Sequence, residues 1–127
     1  MPNPNWCPFI VKKHKDFIQI YEPVFCENFY VVIMPTAVKF KEFANKHLGL
    51  NLDLDDTDSG AFVPITDKKA NATVGLIWSK DKKETLNHEL LHATTWALGN
   101  RGIKLSDDSD EIFCYYQGFL LKCITEK

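Results

Sequence analysis

Two histidines four residues apart, in the segment His88-Glu89-Leu90-Leu91-His92, are the side chains of this sequence whose types and spacing could do chemistry. On an α-helix, positions i and i+4 lie one above the other on a single face, so two imidazoles placed this way can converge on one tetrahedral ion. The ion that suits such a chelate is zinc, one per chain. Glu89 is adjacent but is not needed as a ligand. It would stand beside an open coordination position, where a carboxylate can take a proton from water and pass it on. The plainer reading is a helix with two surface histidines and a core stripe of Leu86, Leu90, Ala93 and Ala97.

A catalytic zinc site commonly has three protein ligands, so one more must come from elsewhere in the chain. Glu111 is the expected third ligand. Eighteen residues separate it from His92, enough for the remainder of the first helix, the turn GNRGIKLSD and entry into a second helix lying across it. Asp108 and Asp110 are the alternatives, and Glu111 also fits a capping position behind Asp108. Tyr115, one turn after Glu111, could face the metal and steady a developing oxyanion, with Tyr116 behind it; aromatic residues at this spacing equally suit a core stripe. His14 and His47, alone in sequence, read as surface histidines.

The elements that must position these residues follow from hydrophobic patterning. Residues 29 to 34, FYVVIM, suit a buried strand, and a further strand is expected somewhere in residues 9 to 20. Thr36 can cap a helix from Ala37 to about Leu48, with Gly49 as its stop. AFVPIT and ATVGLIWS read as an antiparallel hairpin, with Pro64 pushing the first toward a sheet edge. Asp81 and Glu84 form a capping-box-like start for the HELLH helix, which should run to about Leu98. A last helix, from about Asp108 to Ile124, carries Ile112, Phe113, Tyr116, Phe119, Leu120 and Cys123 at core-like spacing.

Composition narrows the function classes. The 127 residues are 45% hydrophobic, enough for one compact core and one domain over residues 1–127. A formal net charge of −2 argues against a nucleic-acid partner. The N-terminal residues lack the pattern of a signal peptide and no stretch reaches membrane-spanning length, so a cytoplasmic protein without a membrane partner is expected. Cys7, Cys26, Cys114 and Cys123 form no Cys-x-x-Cys couple and read as free thiols. The segment NLDLDDTDSG invites a calcium-loop reading, but Asp58 and Pro64 stand where the motif requires Gly and Glu, so a solvated acidic loop is expected.

HELLH followed after eighteen residues by the Glu of SDEIFCYY resembles the pattern of the gluzincins, zinc peptidases that take two His from one helix and a Glu from the next. The small size is similar to that of compact zincin-like proteins of phages and mobile elements. The resemblance covers residues 72 to 120 by motif and is architectural before that. It implies an α+β, minimal zincin-like fold: a small, mostly antiparallel sheet packed on the active-site helix, with the C-terminal helix supplying the third ligand. It also implies hydrolysis of a peptide bond in a peptide or protein substrate, with His88, His92 and Glu111 on zinc and Glu89 as general base and acid. In such proteins the strand matching ATVGLIWS pairs with an extended substrate, and Gly75 would permit close approach or else mark a bulge. A zinc-binding interaction protein that cuts nothing is the alternative.

Overall fold

The computed structural model describes residues 8–67 and 71–125, with backbone alone for Asp67. The N-terminal pattern resolves into two strands rather than one: β1 (Ile10–Lys13) and β2 (Ile18–Glu22), paired antiparallel. The polar run Lys12-Lys13-His14-Lys15-Asp16 interrupts the apolar positions, and His14 N–H donates to the Phe17 carbonyl at 2.9 Å to close the turn. β3 (Glu27–Ile33) follows and carries the expected FYVVI run, with Phe29, Val31 and Val32 all buried.

α1 (Ala37–Leu48) has the limits its caps dictate. Thr36 Oγ1 accepts the Lys39 N–H at 3.2 Å, and Gly49 takes the left-handed conformation at φ 67°, which glycine adopts without steric cost. The acidic loop then folds on itself. Asp55 accepts from the Thr57 hydroxyl and from its N–H, contacts that hold its carboxyl below the usual range, and Asp55 N–H donates to Asp58 at 3.0 Å. These carboxylates stabilise their own turn.

The expected hairpin is present as β4 (Gly60–Asp67) and β5 (Ala72–Ser79), antiparallel with Pro64 opposite Gly75. The sheet order is β1-β2-β3-β5-β4, so Pro64 sits on an edge strand, where a missing N–H is tolerated. Three pairings are antiparallel; β3 with β5 is parallel. The architecture is α+β with a mixed five-stranded sheet and three helices, completed by α2 (Glu84–Gly99) and α3 (Asp110–Thr125).

Both faces of the sheet are covered. On one face α1 packs Phe40 and Phe43 against Val74, Leu76 and Trp78. Trp78 lies parallel to Phe40 with ring centroids 5.2 Å apart, and its Nε1 donates to the Met34 carbonyl at 2.9 Å. On the other face Ile20, Phe29, Val31 and Ile77 meet Leu86, Leu90 and Ala97 of α2 and Phe113, Tyr116 and Leu120 of α3. Truncating one of these large side chains to Ala would cost about 3–5 kcal/mol. Burial on two faces explains why β5 reads as a continuous apolar run rather than an alternation. Among the described residues no helix is long and apolar enough to cross a membrane.

Candidate metal centre

α2 begins two residues later than the capping-box reading implies. Lys83 occupies the N-cap and no side chain caps it. Asp81 instead accepts the Lys83 N–H at 3.0 Å, forming the turn that enters the helix, while Glu84 places a negative charge in the first turn, where the helix dipole favours it. At the other end Ile103 N–H returns to the Leu98 carbonyl at 3.0 Å, and Gly102 takes φ 75°. Between these ends Leu86, Leu90, Ala93 and Ala97 are completely buried.

That stripe leaves the HELLH histidines turned outward. His88 and His92 are both exposed, with their Nε2 atoms 3.2 Å apart and rings nearly perpendicular at 78°. Two nitrogens bound to one tetrahedral zinc at about 2.0–2.1 Å would stand about 3.3 Å apart, so the pair already has the separation of a chelate. Glu89 lies at the border between the buried and exposed faces and is only 7% exposed. One ligand atom from each of His88, Glu89 and His92 falls within 4.8 Å of the others. Burial pushes the Glu89 carboxyl above the usual range, and the positive charge available at His88 and His92 opposes this. Among the described residues no hydrogen bond engages its oxygens.

The third-ligand candidates are not brought to this group. α3 starts at Asp110, later than the expected Asp108, and buries Phe113, Tyr116, Leu120, Cys123 and Ile124. At about 3.6 residues per turn, Glu111 and Tyr115 fall on the side of α3 opposite that stripe. Glu111, Asp108 and Asp110 are exposed, and Tyr115 is 64% exposed. Tyr116 turns the other way. It is buried, and its hydroxyl donates to Glu22 Oε1 at 2.8 Å, so it belongs to the core. Packing of the apolar stripe, not the spacing to His92, sets which way each side chain of α3 faces.

The substrate-pairing role expected for ATVGLIWS requires correction. β5 is hydrogen-bonded to β3 on one side and β4 on the other, so it has no free edge to offer. Nor does Gly75 admit a ligand or form a bulge; a Cβ there would meet Phe62 at 2.9 Å, Phe29 at 3.0 Å and Trp96 at 3.1 Å. Its missing side chain makes room for three aromatic rings. Among the described residues the free edge next to α2 is β4.

Two features escaped the reading of the sequence. Gly60, the first residue of β4, lies against Glu89: a Cβ added to it would sit 3.0 Å from both Cγ and Oε2 of that side chain. Its only sequence signal is a glycine at the boundary between the acidic turn and a strand. Glu22, a charged residue ending the pattern IQIYE, is completely buried and nothing in its neighbourhood in sequence marks it. Of the cysteines, Cys26, Cys114 and Cys123 form no disulfide among the described residues; Cys7 lies outside them. No family model, curated protein or solved structure matches the chain.

Proposed function

We propose that this chain is a zinc-dependent peptidase of zincin type, holding one zinc on His88 and His92 with Glu111 as third ligand and Glu89 as general base and acid. The observation that carries this reading is the pair of Nε2 atoms 3.2 Å apart beside a buried carboxylate in the same cluster. Imidazole nitrogen and carboxylate oxygen are donors that zinc accepts. Glu111 stands outside that cluster, on the outward side of α3, so its ligation requires the start of α3 to move when zinc binds.

Bound there, zinc would supply Lewis acidity, making water a nucleophile near neutral pH and polarising a carbonyl. Glu89 takes the proton from water as the oxygen bonds to the carbonyl carbon, and hands it to the departing amine nitrogen as the C–N bond breaks. The site lies on the open surface of α2, and the edge of β4 beside it, unpaired among the described residues, suits an extended peptide backbone. Tyr115 is proposed to approach the oxyanion only when a substrate covers that face.

The second reading, a zinc-binding interaction protein that cuts nothing, is favoured by Glu111 and Tyr115 both facing solvent. Elemental analysis and turnover together decide between them. Wild type should carry one zinc per chain, lost in His92→Ala and in Glu111→Ala. Glu89→Gln should keep the metal while hydrolysis of an unstructured labelled protein falls by about 10²–10⁴-fold. Zinc bound with no cleavage, in wild type as in Glu89→Gln, would leave the interaction protein; no zinc uptake by wild type would sink both.

A further inference from the structure

We propose that Gly60 is a positioning residue for Glu89: the edge strand lacks a side chain at this point so that the carboxylate can seat against its backbone. This inference rests on the peptidase reading for its functional meaning, but the contact itself does not.

Gly60 and Glu89 meet in the narrow space between two rigid walls. Gly60 is held in the ladder opposite Ser79, and Lys80 N–H donates to the Ser59 carbonyl at 2.9 Å just before it. On the other side α2 is anchored by Leu86, Leu90 and Ala93, all completely buried. A Cβ on Gly60 would stand 2.9 Å from the Trp78 carbonyl oxygen and 3.0 Å from Glu89 Cγ and Oε2. Two separate contacts resist that Cβ: the Trp78 carbonyl, β5 backbone that stays in place whatever residue 89 is, and the Glu89 side chain, which can be displaced. Positive φ plays no part, because the positive-φ glycines are Gly49 and Gly102; the obstacle at Gly60 is space. What an alanine would change is where the carboxylate sits relative to the two imidazole nitrogens.

The placement has a consequence for catalysis. Gly60 opens the strand whose outer edge is free, so seating Glu89 against it sets the base in register with any peptide backbone that pairs with β4. A methyl group at residue 60 should spoil this alignment without removing a ligand. Misplacement of a catalytic group by about 1 Å can cost about 100-fold in rate.

The test is a double-mutant cycle with a readout independent of turnover. Thermal unfolding is measured for wild type, Gly60→Ala, Glu89→Ala and the double variant. Zinc affinity is measured by competition with a chromogenic chelator, and hydrolysis with the unstructured labelled protein. Gly60→Ala should lower the melting temperature by about 5–10 °C in wild type and by less when Glu89 is already alanine, the Trp78 carbonyl contact remaining in both backgrounds. Its zinc affinity should stay near that of wild type, while kcat falls about 100-fold at unchanged KM. Equal losses of melting temperature in the two backgrounds, or wild-type turnover in Gly60→Ala, would overturn the proposal and leave the peptidase reading intact. Should Gly60→Ala fail to fold, rescue of folding by Glu89→Ala supports the contact, and no rescue refutes it. A coupled cycle in a protein that takes up no zinc sinks the peptidase reading, and the positioning role with it.

Discussion

Two buried carboxylates at different places in the fold have opposite surroundings. Glu22, at the end of β2, is completely buried, and both its oxygens are engaged: Phe25 N–H donates to Oε2 at 2.7 Å and the Tyr116 hydroxyl to Oε1 at 2.8 Å. Glu89 on α2 is nearly as buried, at 7%, yet no hydrogen bond among the described residues reaches it. It faces two imidazoles instead. A buried charge is tolerated when its acceptor sites are filled. Glu22 is therefore a structural residue that ties the β2–β3 turn to α3. Glu89 is partly desolvated, opposed only by the nearby imidazoles, which leaves its lone pairs open for a proton or an ion.

The same near-isosteric change at both positions should separate the two carboxylates most strongly. Glu22→Met leaves the Tyr116 hydroxyl and the Phe25 N–H without an acceptor and should cost about 2–5 kcal/mol in urea unfolding at neutral pH. Glu89→Met removes a carboxylate that no hydrogen bond among the described residues holds, so its stability should stay within about 0.5 kcal/mol of wild type or rise. Equal losses would mean that Glu89 is held by structure as firmly as Glu22. Next in size, Tyr116→Phe strips one partner from Glu22 and should cost about 1.5–3 kcal/mol. A change near zero would show that the Phe25 N–H alone satisfies the carboxylate.

The smallest effect concerns Glu27, paired opposite Glu22 in the sheet. Burial raises its carboxyl above the ordinary value of 4.5, with the Asn100 amide and the Arg101 guanidinium opposing. A raised folded-state value means that the native protein binds this proton more tightly than the unfolded chain, so the charged form costs stability above 4.5. Glu27→Gln should therefore be more stable than wild type at pH 7, and the difference should narrow as the pH falls through the folded value of Glu27. Unfolding curves at a series of pH values test it; a gap that widens toward acid would show that Arg101 outweighs burial.

Local signals in the sequence reach far into this protein. Thr36 and Gly49 bound α1 because a hydroxyl can accept a free helix N–H and glycine can turn left-handed, both properties of single residues. Pro64 marks an edge strand because it has no N–H to give. The spacing of His88 and His92 brings their nitrogens together because the helix repeat does so wherever that helix sits. What tertiary structure decided is everything that depends on which face is buried. Glu111 and Tyr115 turn outward because Phe113, Tyr116 and Leu120 must turn in, and no count of residues from His92 contains that choice. β5 loses its free edge because β3 joins it in parallel across a long connection. Glu22 became an acceptor because folding brings Tyr116, distant in sequence, within hydrogen-bonding reach of it. Gly60 meets Glu89 only because a strand and a helix twenty-nine residues apart in sequence pack together. Helix periodicity and capping are short-range and legible in a chain; burial and strand partnership arise from contacts between segments far apart along it.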